Sequence, residues 1–293
     1  MRHFKGIPEH LYHYTTVNTA KLIIKNRTIR FNSLANMDDK QEPKTKEFPN
    51  IGAGILASCW SEESESIPQW NMYASDGRGV CIRLHSFPFE NLYMEYVDFF
   101  KRFQESMDIN EDIDPYDAGE NFIVPPHHVY NQDYVALSIF TGGYHDEDEW
   151  LRNRQNCQVT YTSEPEKLIP QCFSMVRGFK HINFSNLGVV KDEGWEFQKE
   201  WKYRIILYPL GQAPDAAVTD HDEAFRLFTE GFNPIDYIDL KIDLDFYNTM
   251  EIIAGPLISS EDYNDLSILM KEYIPYSTLV KSKYTGTIKL KEH

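Results

Sequence analysis

Residues 195–208 read Trp195-Glu196-Phe197-Gln198-Lys199-Glu200-Trp201-Lys202-Tyr203-Arg204-Ile205-Ile206-Leu207-Tyr208. From Trp201 onward the stretch alternates. Trp201, Tyr203, Ile205 and Leu207 fall on one side of an extended chain, and Lys202, Arg204 and Ile206 on the other, because successive side chains of a strand point to opposite faces. Gln198, Glu200, Lys202 and Arg204 stand at spacing two, so on a strand they share a face. The pattern predicts a strand with one apolar face and one charged face. A carboxylate among cations at a sheet edge stays ionised. Such a cluster reads equally as a functional site or as a cross-strand ion pair on a solvated face.

Outward from this strand, Gly79–Leu84 alternates with Val80, Ile82 and Leu84 together, which predicts a half-buried strand. Gly54–Trp60 and Met250–Ala254 are apolar strands. Leu11–Thr15, Thr28–Phe31, Gln158–Thr162, Leu279–Lys281 and Thr287–Leu290 are shorter ones. Val17, Ala20, Ile23 and Ile24 line one helical face behind a Thr15 or Thr16 cap. Ile67–Ala74 is a short helix opened by Pro68, where proline is tolerated. Pro165–His181 has helical spacing, and Asn131–Arg154 is expected to be helical in part. Ser259-Ser260-Glu261-Asp262 is a capping box, followed by Leu266, Leu269, Met270 and Tyr273 on one face. Asn32–Glu42 is polar and turn-rich and reads as a surface loop. Strands and helices do not alternate strictly. An α+β fold with a mixed, mostly antiparallel sheet and flanking helices follows. Residues 1–293 are expected to form a single domain, with residues 105–132, rich in acids and proline dipeptides from Glu105 to Pro126, as an insertion or long loop.

The 45 acidic against 29 basic residues give a formal charge of −16, which repels phosphate backbones and disfavours non-specific nucleic-acid or membrane-surface binding. Cys59, Cys81, Cys157 and Cys172 form no C-x-x-C pair and read as buried thiols. The opening residues lack an apolar signal-peptide core, and no apolar run is long enough to span a membrane. A cytoplasmic location is the expectation. The G-x-G-x-x-G, phosphate-loop and G-x-S-x-G patterns are all missing.

Three segments carry candidate chemistry. His13-Tyr14-Thr15 ends the first strand, where a histidine can bond a ribose hydroxyl while the protein holds its other nitrogen. The bland alternative is a satisfied core histidine. Trp70-Asn71-Met72-Tyr73 can floor a pocket and stack a planar ring, or simply pack a helix. Glu200 and Arg204 belong to the charged face already described. The acidic positions Asp108, Asn110, Asp112 and Asp114 begin like a calcium loop. The match fails at Ile113 and Gly119. The cluster His145–Glu149 reads as charged surface, and His127-His128 lacks zinc spacing, so no metal is expected.

Taken in order, these segments resemble a bacterial family catalogued as a domain of unknown function, number 2971. LYHYTTVNTAKLIIKNRTIRFNSLANMDDKQE stands for its opening Y-x-Y-T strand, helix and N-D-x-x-E loop, here Asn36 to Glu42. SCWSEE, WNMYASDGRGVCIRL, KDEGWEFQKEWKYRII and EIIAGPLIS stand for its later segments. In this reading the family's E-x-E-W-R becomes Glu200-Trp201-Lys202-Tyr203-Arg204, with Lys202 at the second glutamate. A second likeness, of arrangement only, is to the ADP-ribosyltransferase layout, with Gln198-Lys199-Glu200 as its Q-x-E pattern.

That layout implies an NAD-dependent transferase acting on a macromolecular acceptor, as in toxin or phage-defence systems. His13 would hold a ribose, Thr15 would support the backbone around it, and Tyr73 or Tyr14 would stack on nicotinamide. Glu200 would stabilise the oxocarbenium-like transition state, and Arg204 would orient it or meet a phosphate. Lys202 favours instead a non-catalytic nucleotide-binding or sensor module. A metal-dependent hydrolase or nuclease using the acidic clusters and His127, His128 or His145 is the third reading.

Overall fold

A computed structural model describes residues 8–107, 122–138, 157–176, 179–210 and 221–289. Its largest sheet is built around β1 (His10–Thr15), β2 (Thr28–Ser33), β3 (Ile55–Ser61) and β4 (Val80–His85), with β5 (Tyr134–Ser138) and later strands added at both sides. Two small two-stranded pairs lie apart from it. One joins β6 (Thr160–Thr162) to β9 (Val190–Asp192), and the other joins β7 (Phe173–Val176) to β8 (Phe179–Ile182). The strand quoted at the outset is β10 (Glu200–Pro209). Beyond it come β11 (Tyr237–Lys241), β12 (Glu251–Ala254) and β13 (Thr278–Lys281). The main sheet runs β11-β2-β3-β1-β4-β12-β13, and β10 pairs with both β3 and β5. Among the described residues, only β12 with β13 runs parallel in this sheet. The fold is α+β with a mostly antiparallel sheet, as the non-alternating order of elements implies.

The helices are α1 (Val17–Asn26), α2 (Ile67–Tyr73), α3 (Tyr93–Met107), α4 (Pro126–Val129), α5 (Pro165–Leu168), α6 (His221–Glu230), α7 (Leu244–Asn248) and α8 (Ser260–Tyr273). Local chemistry sets their ends. Thr16 caps α1 by accepting from the Thr19 amide, and Ser259 caps α8 through the Asp262 amide. Val17, Ala20, Ile23 and Ile24 of α1 and Leu266 and Met270 of α8 pack with Trp201, Tyr203, Ile205 and Leu207 in one core. A second cluster, around Leu34, Phe48, Ile51, Ala57 and Phe228, includes Ala57, the partner of Arg204 across the β3–β10 ladder. A third, around Tyr14, Trp70, Ala74, Cys81 and Ile253, seats α2. Among the described residues no helix is long and apolar enough to cross a membrane.

Several local expectations are corrected. Pro165–His181 is not one helix: α5 is a single turn, and the chain then forms the β7–β8 hairpin. Within 131–154, residues 134–138 are strand β5, paired to β10, and residues 139–154 lie outside the described residues. β4 is not half-buried. It is central, with Ile82 in the first core and Cys81 in the third. β10 is likewise no edge strand, so its charged face is buried rather than solvated. Thr287–Lys289 is not strand. Tyr273 is 39% exposed and does not join the buried face of α8. Of the expected insertion, residues 108–121 lie outside the described residues, while residues up to 107 extend α3 and 126–129 form α4. The calcium-like positions Asp108 to Asp114 and the cluster His145–Glu149 also lie outside them.

Gly79 lets α2 approach β1. A Cβ there would stand 2.2 Å from the Thr15 carbonyl oxygen and 2.9 Å from the Ala74 Cα, both backbone atoms that cannot swing away. The Gly79 amide also donates to Ala74 at 2.7 Å. Gly79→Ala is therefore predicted to cost about 3 kcal/mol, the upper part of the usual overpacking range. In urea unfolding this appears as a lower midpoint at unchanged slope.

Candidate active site

The site arises where the sheet branches. One edge of β3 is shared by two strands: β2 pairs at Asn32↔Ala57 and Ser33↔Leu56, and β1 at Tyr12↔Ser61. Between these ladders, Ser58, Cys59 and Trp60 line a cavity of about 220 Å³. Tyr12, His13 and Tyr14 come from β1 and Arg30 and Asn32 from β2. Met37, Asp38 and Asp39 come from the following loop, Gln69 and Tyr73 from α2, and Lys191, Trp195, Gln198 and Glu200 from the approach to β10.

His13 fills part of the split. Its Nδ1 lies 2.9 Å from the Cys59 carbonyl oxygen, and its ring is 5.1 Å from that of Trp60. A carbonyl only accepts, so Nδ1 carries the proton. Burial holds the imidazole pKa below its ordinary value, outweighing the opposing hydrogen bond to Cys59. The ring is thus neutral, and Nε2 is its acceptor. Tyr14 is a wall. Its hydroxyl donates to the Glu63 carbonyl at 2.8 Å and accepts from the Ser66 amide at 2.9 Å, while Trp70 packs edge-on against its ring. Tyr73, at the end of α2, accepts a hydrogen bond from the Gln198 carboxamide at 2.6 Å. Burial raises the pKa of both phenols, so both keep their protons.

Glu200 belongs to a buried cluster of four alternating charges. Lys191 lies 2.6 Å from its Oε2 and Lys202 lies 3.2 Å from its Oε1. Glu42 closes the cycle, in contact with Lys202 and 3.5 Å from Lys191. The side chains of Glu42 and Lys202 are fully buried. Burial depresses the Lys191 pKa, but the adjoining Glu200 more than offsets this and the net direction is upward. Complete burial and the Arg204 charge push Lys202 down. The two carboxylates against its ammonium are the compensation a buried cation needs. Lys191 also donates to the Gln198 carboxamide oxygen at 3.0 Å. Gln198 lies before the strand. Lys199, with a left-handed φ of 41°, turns the chain into β10. The thiol of Cys59 is pushed well up, first by burial and then by Glu200. It is therefore no ready thiolate.

The structure thus brings His13, Tyr14, Tyr73 and Glu200 to one cavity. Thr15 and Arg204 do not line it. Thr15 is buried in the β1–β4 ladder opposite Val80. Arg204 is buried on β10 and donates to the carbonyls of Phe184, Ser185 and Leu187, holding that segment to the sheet. Burial pulls its pKa down to about 10. Asn32–Glu42 is not simply a surface loop, since Met37, Asp38 and Asp39 line the cavity and Glu42 is buried. Glu42 and Lys191 escaped reading as candidates, although Glu42 closes the quoted N-D-x-x-E loop and Lys191 opens the quoted segment KDEGWEFQKEWKYRII. His128 bonds the Tyr134 hydroxyl at 2.8 Å and is pushed down to about 4, by burial and then by His127. Neither histidine lines this cavity.

Residues 69–203 match the family model described as Protein of unknown function (DUF2971). No curated protein and no solved structure matches the chain. The match includes Tyr73, Lys191, Gln198, Glu200 and Lys202. His13 and Glu42 precede it. With the motif's tryptophan placed on Trp201, E-x-E-W-R falls on Gln198 to Lys202, so that Glu200 is the second glutamate and Lys202 stands for the arginine.

His13 also ties stability to pH. The unfolded imidazole protonates near pH 6.5, whereas the folded one resists. The contribution is fully present above the unfolded value and is lost as pH falls below about 6.5 toward the folded value. Urea unfolding at pH 8 and pH 5 should show that wild type loses more stability on acidification than His13→Gln. Equal losses would contradict the assignment.

Proposed function

We propose that this protein binds NAD in the β1–β2 split and transfers its ADP-ribosyl group to a macromolecular acceptor. The observation that carries the reading is the convergence of His13, Tyr14, Tyr73 and Glu200, drawn from three distant segments, on a single cavity. The neutral His13 offers Nε2 to a ribose hydroxyl. Tyr73 presents a ring for stacking on the base. Glu200 faces the sugar.

In the reaction the bond between the ribose anomeric carbon and the nicotinamide nitrogen breaks, and nicotinamide leaves with the bonding pair. Positive charge grows on the sugar, and Glu200 stabilises it through space and through the 2′-hydroxyl. An acceptor nucleophile then bonds to the anomeric carbon and loses its proton. Lys191 and Lys202 take no part in bond making. They fix the direction of the Glu200 oxygens.

A second reading, a binding module without turnover, is favoured by one observation: both Glu200 oxygens already face ammonium groups. Nicotinamide release separates the two. With wild type active, Glu200→Gln is expected to lower release about 100-fold or more, the usual cost of losing transition-state stabilisation. Its NAD affinity should change little. Equal release by wild type and variant would overturn the transferase reading. Binding by wild type without any release would establish the module instead.

A further inference from the structure

We infer that Glu42 is a positioning residue, through which the loop after β2 controls Glu200. The inference deepens the proposed function and rests on Glu200 being its working carboxylate.

The argument begins with charge balance. Glu42, Glu200, Lys191 and Lys202 form a closed set of two carboxylates and two ammoniums, with charges alternating around it. A buried charge is tolerated only when compensated. With all four present, each lysine is shared between two carboxylates. Glu200 is then held but not overwhelmed. Removal of the Glu42 charge leaves two ammoniums to a single carboxylate. Both would turn to Glu200, and its capacity to respond to positive charge on a substrate would fall. Alternatively Lys202, already pushed down by burial, would release its proton. In either case Glu200 loses its set position.

Glu42 does this from a distance. It is not a cavity residue, but Asp38 and Asp39, a few positions earlier on the same loop, are. Ion pairing of Glu42 with Lys202 on β10 therefore docks the cavity's acidic wall and aligns Glu200 in one contact. The loop is held again just beyond, where the Gly52 amide donates to the Pro43 carbonyl at 3.0 Å. A Cβ on Gly52 would stand 2.2 Å from the Pro43 Cβ, so the chain is closely packed around this anchor.

The test uses the full chain as wild type, Glu42→Gln, Lys202→Met and the double variant, each checked for cooperative unfolding. Two readouts are taken: nicotinamide release from NAD, and the ¹H–¹⁵N signals of lysine ammonium groups. Glu42→Gln is expected to lower kcat about tenfold or more, with KM within about twofold. It should also lose or shift a protected ammonium signal. The double variant restores a balanced Lys191–Glu200 pair and should recover kcat to within about threefold of wild type, a non-additive outcome expected of neighbours that share one charge set. A merely structural role would leave the double variant at least as impaired as the single. That result, or a Glu42→Gln protein with wild-type kcat and unchanged ammonium signals, overturns the inference. If wild type itself releases no nicotinamide, the transferase reading fails. The ammonium signals then decide alone, and their persistence in Glu42→Gln overturns the role of Glu42.

Discussion

Four buried charges set the arrangement of the site. Lys202, fully buried on a central strand, would be untenable alone, since desolvating an ammonium costs several kcal/mol even after relaxation. Its partners Glu42 and Glu200 make it tolerable, and each partner brings a different piece of chain with it. Glu42 brings the loop after β2. Glu200 brings the turn that enters β10, and with it Gln198, which bonds Tyr73 on α2. Lys191 joins the set from β9. One electrostatic requirement thus gathers four segments around a single carboxylate.

The sheet provides the space. Because β1 and β2 share one edge of β3 at different heights, they diverge, and a cavity opens between them. In a regular ladder the Cys59 carbonyl would meet a backbone amide. Here it meets the His13 ring, which satisfies a buried acceptor and fixes the tautomer at once. The apolar face of β10, Trp201, Tyr203, Ile205 and Leu207, lies in the same core as the buried faces of α1 and α8. The opposite face is thereby held rigidly toward the split, which suits a site that must keep its carboxylate in place.

Much of this was legible in the sequence because it depends on local periodicity. The alternation in 201–207, the helical face at Val17, Ala20, Ile23 and Ile24, the threonine cap before it, which the fold places at Thr16 of the two candidates, and the cap at Ser259 are short-range patterns, and each appears in the fold. What failed depends on distant partners. The charges of β10 read as solvated or at an edge because nothing within 195–208 reveals that β3 and β5 cover the strand on both sides. Helical spacing in 165–181 gave way to a hairpin, since short apolar runs fit either period. Glu42 looked like loop polarity. Its burial is set by Lys202, some 160 positions later in the chain. Of the candidate residues, His13, Tyr14, Tyr73 and Glu200 were reached through strand-end and motif patterns. Thr15 falls instead in the β1–β4 ladder, and Arg204, on the same face of β10 as Glu200 but four residues further along, reaches the carbonyls of Phe184, Ser185 and Leu187, partners that nothing in 195–208 reveals.

The central claim is that the β1–β2 split is the ligand site and that Glu200 is its working group. A crystal structure of the protein soaked with NAD, or with ADP-ribose as the product fragment, addresses this most directly. The account predicts the ribose in the split, with a hydroxyl bonded to Glu200, another to His13 Nε2, and the four-charge cluster intact behind them. A nucleotide bound elsewhere on the protein, or an empty split at millimolar ligand, would contradict it.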